Sequence, residues 1–457
     1  MKLLLSRAFV LVIFSLLMVC GILIFTVNYF SSASTWVQFP ANRHLYANGK
    51  LLSQGTVYDR AGHILLRMDE GDIRFHEQET VRRAVMHATG DLYGNVLTGA
   101  QVAFRDRLSG WNIVSGAYRF NSGRGAPGNE LTLTIDADLS AVAYRELGER
   151  KGTVGVYNYE TGEILCMVSK PAIDPENPPD VTAYPHKYEG VYINRLLSAA
   201  YTPGSVFKLV TAAAALDSFD NIDNKLYHCD GSLPLGEDLV TCPAAHGEVT
   251  LEQALAVSCN VAFARITHEL GAAALQKHAD SAGFNSSLEV DGIKTAVGRV
   301  DVSGAEGADL AWAGIGQYTN TANPLNFLAY MGAIANDGVS VTPRILFDRG
   351  LFSFLTPYLL EKKRMLPTET AGKLGKLMRN NTISEYGEEN YRGLELCAKS
   401  GTAEVGGGEN PHAWFAGFLA REDFPLAFVV IIENGGSGSR VAGPVAAKVL
   451  QAALNGE

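Results

Sequence analysis

Twenty consecutive residues, Ala8 to Val27, carry no charge, and this run constrains the chain more than any other feature. Its polar interruptions are Ser15 and Thr26, with Cys20 and Gly21 between them. At about 1.5 Å per residue, such a helix covers the ~30 Å hydrocarbon core of a bilayer. No second stretch is comparably long and apolar, which excludes a multi-pass membrane protein. Lys2 and Arg7 precede the run, and no Lys or Arg follows until Arg43. The positive-inside bias therefore predicts a cytoplasmic tail at residues 1–7 and a membrane anchor at 8–28, with the remainder outside the cell. A cleaved signal peptide is the competing reading, with Ser31 and Ala33 as the small residues of a cleavage site. The apolar core is long for a signal peptide, and Val19 is bulky where a lipoprotein signal before Cys20 needs a small residue.

Outside the cytoplasm neither ATP nor NAD is at hand. No phosphate-binding loop is present, since Gly406-Gly407-Gly408 lacks a following Lys-Ser/Thr. No cofactor is expected. With 38 Lys+Arg against 48 Asp+Glu, the net charge of −10 argues against a nucleic-acid partner. A chain with 19% charged and 47% hydrophobic residues is neither disordered nor coiled coil.

Residues 29–128 contain short strand-like runs broken by Gly, Asn and Asp. Gly55 to Leu65 reads as strand, turn at Asp59–Gly62, strand. The Gly-rich segment 121–129 reads as a loop, and with it the predicted boundary between a small, mostly-β N-terminal module and a larger domain at 129–457. In the larger domain, Leu131, Leu133 and Ile135 alternate with threonines as in a half-buried strand. Asp136 is placed to cap a helix running to about Glu149. Thr153–Tyr157 and Ile164–Ser169 read as strands joined by a turn at Glu160-Thr161-Gly162. Helices are expected at 205–217, 250–270, 324–336 and 444–454, and further strands at 414–420 and 427–433. Strands at both ends around a helical middle predict an α+β fold, an antiparallel sheet packed by helices.

Tyr201-Thr-Pro-Gly-Ser-Val-Phe-Lys208 is the sharpest local signal. Pro203 and Gly204 break structure just before a helical run, so Ser205 is expected at a helix N-terminus. Lys208, three residues on, shares its face. Serine becomes a nucleophile when a base takes its proton, and a neutral lysine is such a base. Keeping Lys208 neutral near pH 7 means lowering its pKa from ~10.4 by about three units, or ~4 kcal/mol. Burial beside a second cation would supply that. The helix terminus would also turn the Ser205 N–H toward a developing oxyanion.

Ser-x-x-Lys alone is common by chance. Two further pieces give it weight. Ser258-Cys259-Asn260 lies 53 residues after Ser205, in what reads as one apolar helix. Lys399-Ser400-Gly401-Thr402 lies 141 residues beyond Ser258, before the aromatic run His412–Gly417. Separately these read as a packed polar pair and an edge strand with a turn. Together they form the ordered trio S-x-x-K, S-x-N and K-[ST]-G of serine acyl-transfer enzymes.

On these residues the chain resembles a class B penicillin-binding protein, a monofunctional peptidoglycan D,D-transpeptidase. Gly55–Leu65, Leu131–Asp136, Tyr159–Leu165, Gly314–Gln317 and Ala333–Gly338 extend the resemblance over most of the chain. The resemblance implies that Ser205 is acylated by the penultimate D-Ala of a stem peptide, with release of the terminal D-Ala. It makes Lys208 the general base and Ser258 a proton shuttle. Asn260 would hold Lys208 and the substrate amide, and Lys399 would set the field. Ser400 and Thr402 would bind the substrate carboxylate, and Gly401 would permit close backbone approach. The N–H groups of Ser205 and Thr402 would form the oxyanion hole. The implied ligands are D-Ala-D-Ala stem peptides and β-lactams. The implied partner is a membrane glycan polymerase of the FtsW/RodA type, because a module of about 100 residues is too short to hold a glycosyltransferase domain. Cys259 in the second motif and Ser400 in the third both occur within the family pattern.

Three other activities fit parts of the pattern. A β-lactamase of class A needs a water-activating Glu, and the nearest match, Ala322-Asn-Pro-Leu-Asn326, has Ala in its place. A D,D-carboxypeptidase differs only in using water as acceptor. A membrane-anchored β-lactam sensor would need an output partner, because only about seven residues precede the anchor. Among the minor features, Cys229 and Cys242 read first as a disulfide or free thiols. Zinc, with His228 and His246 beside them, is the lesser reading. Cys259, Cys397 and Cys166 read as small core residues, and His412 as structural.

Overall fold

The computed structural model describes residues 2–37, 55–69, 72–108, 129–347 and 360–456, with short strands at 46–47, 50–51, 111–112 and 117–118. The expected boundary loop at 121–128 lies outside the described residues. The apolar run lies in one helix, Lys2–Val37, and its segment Arg7–Val27 is long and apolar enough to cross a membrane. Phe14, Leu16, Leu17 and Met18 on that helix are all exposed, as a face meant for lipid would be.

Two compact units divide the chain. The smaller comprises Met1–Thr56, Arg67–Ile73 and Phe104–Glu130; the larger comprises Val57–Leu66, Arg74–Ala103 and Leu131–Glu457. Short strands at Gly55–Tyr58, Ile64–Asp69 and Asp72–Phe75 make the N-terminal portion rich in β-structure. The expected turn forms at Asp59–Gly62, where Asp59 N donates to His63 O at 2.9 Å and the Asp59 carboxylate accepts from His63 N at 2.7 Å.

A five-stranded antiparallel sheet organises the larger unit. Its strands run Ile164–Lys170, Gly152–Asn158, Leu426–Ile432, His412–Leu419 and Leu396–Ala403, in that order across the sheet. All four neighbouring pairs are antiparallel. Sequence reading anticipated the first four and placed Lys399–Thr402 on an edge strand, where it lies. Both faces are covered. On one, Val154, Val156, Phe428 and Val430 pack with Leu139, Ala143 and Leu147 of helix Ala137–Leu147 and with Val445, Val449 and Leu450 of helix Gly443–Asn455. The alternate positions face the buried helix Pro324–Ala335; a Cβ at Gly155 would stand 3.2 Å from Leu328. Period-2 alternation thus sorts apolar residues between two helical layers rather than between core and water.

Asp136 caps helix Ala137–Leu147 as expected, accepting from Leu139 N at 3.0 Å. Helix Glu79–Thr89 is fastened to the loop after strand Ile164–Lys170 by a fork of two 2.7 Å bonds from Arg82 to Asp174. The same guanidinium donates to His76 O and Glu77 O at 3.0 and 2.9 Å.

Candidate active site

Ser205 stands on a tight turn. Gly204 has φ 58°, and Gly204–Phe207 form a 3-10 turn that leads into helix Lys208–Ser218. Gly204 N donates to Gly316 O at 2.9 Å, and the buried Trp414 indole donates to Thr202 O at 3.0 Å. A Cβ at Gly204 would meet Thr402 O at 2.7 Å, and one at Gly401 would meet Pro203 O at 2.9 Å. These two glycines let the 396–403 edge strand lie backbone to backbone against the serine turn.

The second motif departs from expectation. Instead of one helix over 250–270 there are two, Leu251–Ala256 and Asn260–Ser281, broken at residues 257–259. Ser258 has φ 54°, a left-handed conformation that ends the first helix. Cys259 caps the second, its sulfur accepting from Ala262 N at 3.3 Å. Leu255 and Ala254 before the break, and Val261 and Ala262 after it, are all fully buried, so the apolar pattern runs through the break unaltered. That continuity hides it from periodicity analysis.

The break aims Ser258 and Asn260 at a lysine. Lys208 is fully buried. Its Nζ donates to Ser258 O at 2.6 Å, to Asn260 Oδ1 at 2.7 Å, and lies 3.1 Å from Ser258 Oγ. Lys399, also fully buried, donates to Ser258 Oγ at 3.1 Å and to Ser400 O at 3.0 Å. Burial pushes Lys208 down to about 7. Burial and then the Lys208 charge push Lys399 well below the usual lysine range. The sequence argument assigned Lys208 help from a second cation; here burial lowers Lys208, and like-charge repulsion is felt at Lys399. Two ammonium groups around one hydroxyl in a dry site do not both keep their charge. A neutral Lys208 spends its two N–H groups on the Ser258 and Asn260 carbonyl oxygens. Its lone pair is then left to take a proton.

A cleft of about 350 Å³ opens over these groups. Ser205, Ser258, Asn260, Ser400 and Thr402 line it, while Lys208, Lys399 and Gly401 lie buried. All eight residues singled out in the sequence therefore belong to one locality. Sequence reading did not find Trp312, Gln317, Ser437 and Ser439, which also line the cleft. Nor did it find Tyr386, whose hydroxyl accepts from Ser400 N at 2.9 Å and donates to Ser400 Oγ at 3.1 Å. Gln317 ends the Gly314–Gln317 run noted in the sequence but was given no role there; the others belong to no local motif, and the signal that could have marked them is spatial.

Cys229 and Cys242 are not joined: every cysteine in the described residues is a free thiol. Cys242 Sγ lies 3.7 Å from Cys259 Sγ, and Cys229 Sγ lies 3.5 Å from His246 Nδ1. All four donor atoms are within 4.8 Å of one another. His228 is not among them. Strand alternation turns it outward, where it meets Glu248 and Asp230 at 2.7 Å each. Cys259 is buried, as read from the sequence, and its sulfur also caps helix Asn260–Ser281. His412 is structural: its Nδ1 accepts from Asn434 N at 3.1 Å, and its ring meets Tyr201 edge-on at 5.5 Å.

Residues 152–451 match the family model of the penicillin binding protein transpeptidase domain. The peptidoglycan D,D-transpeptidase PbpA of Mycobacterium tuberculosis is 29% identical over 369 residues, covering 74% of this chain and 75% of that one. The peptidoglycan D,D-transpeptidase MrdA of Acinetobacter baumannii is 27% identical over 413 residues, covering 79% of this chain and 61% of that one. Among solved structures, an imipenem acyl-enzyme complex of penicillin-binding protein A from M. tuberculosis superposes with a TM-score of 0.75 at 25% identity. It covers 88% of this chain and 98% of its own.

Proposed function

Because the chain belongs to the penicillin-binding protein transpeptidase family, in its class B branch, we propose that it crosslinks peptidoglycan stem peptides through a Ser205 acyl-enzyme that β-lactams trap. The observation that carries this reading is the Ser258 hydroxyl held 3.1 Å from the amines of both Lys208 and Lys399, in the floor of the cleft that Ser205 lines.

The stem peptide enters with its terminal carboxylate against Ser400 and Thr402. That negative charge favours the proton on Lys399, and repulsion from Lys399 then keeps Lys208 neutral. Lys208 takes the Ser205 proton as Oγ attacks the carbonyl carbon of the penultimate D-Ala. The Ser205 and Thr402 N–H groups receive the oxyanion. The C–N bond breaks, and the departing D-Ala amine takes a proton that passes from Lys208 through Ser258. An amine from a second stem peptide attacks the ester, forms the crosslink and frees Ser205. Asn260 holds Lys208 by its carbonyl oxygen and is itself held, its Nδ2 donating to Thr241 O at 2.7 Å.

The Arg7–Val27 helix anchors the protein in the cytoplasmic membrane, with residues after it outside. Residues 129–457 form the transpeptidase domain and 29–128 the non-catalytic module. A membrane glycan polymerase of the FtsW/RodA type supplies the strands to be joined.

The test is intact-protein mass spectrometry of the full chain in detergent after exposure to benzylpenicillin. One stable penicilloyl adduct, absent in Ser205→Ala, is the expected result. An adduct on Ser205→Ala would sink the assignment, and rapid penicillin turnover would point to a β-lactamase. Donor peptide offered with an amine acceptor should give crosslinked product; release of D-Ala by water alone would make it a carboxypeptidase.

A further inference from the structure

We propose that Tyr386 is the positioning residue that makes the cleft select donors ending in a free carboxylate, and that it acts through Ser400. The inference rests on the acyl-transfer reading, which seats the donor carboxylate on Ser400 and Thr402, and adds the group that enforces the selection. Two observations carry it: Tyr386 holds both polar groups of Ser400, and the edge strand becomes free only beyond that residue.

Tyr386 ends a π-helical turn, Thr382–Tyr386, that follows helix Thr368–Asn381. Such wide turns recur at functional sites. Its ring meets Phe415 edge-on at 5.3 Å, and Phe415 stands directly opposite Ser400 in the ladder between strands Leu396–Ala403 and His412–Leu419. Phe415 in turn stacks on Tyr391 at 5.9 Å. Aromatic packing therefore fixes the phenol beside Ser400.

One phenol oxygen serves two partners. It accepts from Ser400 N at 2.9 Å and donates to Ser400 Oγ at 3.1 Å. A serine hydroxyl has one proton to give and two lone pairs. With a lone pair engaged by Tyr386, Ser400 keeps its proton for an acceptor in the cleft, and an ionised carboxylate can only accept. Burial pushes the Tyr386 phenol up to about 12, so it stays a donor at neutral pH. Without that phenol the Ser400 hydroxyl can turn and can accept as well as donate, which suits an uncharged end as well as a carboxylate.

The edge strand sets where the donor ends. Its outward backbone groups are met in turn by the helix and turn beside it: Leu396 O by Arg379 at 3.4 Å, Ala398 O by Asn381 at 3.0 Å, and Ser400 N by Tyr386. Lys399 occupies Ser400 O. Thr402 is next in this alternation. It is exposed and lines the cleft, and among the described residues no hydrogen bond from outside the sheet reaches its N–H or carbonyl. A peptide can therefore pair with the strand at Thr402 and no further. A donor running past its terminal carboxylate would meet Tyr386 where it needs a free Ser400 N–H.

The test is the second-order rate of acylation of the full chain in detergent, read by mass spectrometry, with benzylpenicillin and with its methyl ester. The two compounds differ only in whether the carboxylate is free. Tyr386→Phe keeps the ring on Phe415 and deletes the hydroxyl. It should slow acylation by benzylpenicillin about 10-fold and leave the ester within about 2-fold, so that the preference for the free acid falls about 10-fold. The loss should lie in the binding constant and not in the limiting rate. Ser400→Ala should also lower the preference, and adding Tyr386→Phe to it should change nothing further, since Tyr386 acts through that hydroxyl. Equal slowing of both compounds, which a merely structural role would give, an unchanged preference, or additive losses in the double variant would overturn the inference. With a Ser205 adduct in the wild-type protein, such a result leaves the acyl-transfer reading standing. No adduct in the wild-type protein would remove that reading and this inference with it.

Discussion

The amines of Lys208 and Lys399 share one oxygen: Ser258 Oγ lies 3.1 Å from each. One lysine comes from a helix and the other from the edge strand of the sheet, and both are fully buried. In the proposed acyl transfer the hydroxyl between them is the proton path, with a charge at only one end at a time.

Acylation by benzylpenicillin should fall as pH drops through about 7, where Lys208 gains its proton, and reach a plateau above it. The groups facing Lys208 are Lys399, Cys242 and Cys259; burial lowers its pKa most and the two cysteines raise it. Lys208→Arg, which stays charged, should lose nearly all activity and the pH dependence with it. Rates by rapid-quench mass spectrometry decide this; a flat profile between about pH 5 and 9 would remove Lys208 as the base.

Ser258→Ala and Ser258→Gly should both slow acylation by about 10²–10⁴-fold, because each deletes the shared hydroxyl. The two should differ in stability. At φ 54° alanine carries a strain that glycine does not, so the glycine variant should be about 1 kcal/mol more stable by denaturant titration. Equal stabilities would mean that the break relaxes once the serine is gone.

Gly401→Ala should cost acylation more than folding. Its Cβ would stand 2.9 Å from Pro203 O and 3.1 Å from both the Val206 side chain and Trp414 Cβ, forcing the edge strand off the serine turn. Displacement of that order costs roughly 10²-fold in rate, against about 1–3 kcal/mol in stability. Unchanged acylation kinetics would show that the turn and strand need not touch.

Asp174→Asn should destabilise the larger unit by about 1–3 kcal/mol near neutral pH, because it leaves the buried Arg82 with only the more exposed Glu176, at 3.2 Å, as a close counter-charge. Burial pushes the Asp174 carboxyl up, but hydrogen bonds from Arg82 and Asn177 outweigh it and hold it below the ordinary range. The pair's stabilisation is thus present above the unfolded aspartate pKa of about 3.9, and is lost as pH falls through the lower folded value. Denaturant midpoints of the two proteins should therefore converge below about pH 4, and a gap independent of pH would assign the effect to packing.

Much of the sheet was legible because its strands are short, apolar and bounded by turn residues. The edge strand was readable at Lys399–Thr402, and Asp136 announced its helix by capping chemistry. The break at Ser258 was not legible, since apolar spacing reports which side is buried and not whether the backbone is continuous. The cysteines misled for a related reason. Spacing along the chain suggested Cys229 with Cys242, whereas strand pairing brings His246 to Cys229, and the helix break brings Cys259 to Cys242.

The sequence by itself determined the chemical inventory: one nucleophile, two lysines, a serine–asparagine pair and the glycines that permit close approach, in a fixed order behind an apolar helix. Residue type and local spacing suffice for that, because they set what each group can donate, accept or tolerate within a turn or two. Which groups meet was decided only by the tertiary structure. Lys208 and Lys399 lie 191 residues apart, and nothing local records that both are drawn from water onto one hydroxyl. Burial removes the solvent that would otherwise keep both charged, and on that loss rests the proposal that one lysine serves as base and the other as electrostatic anchor.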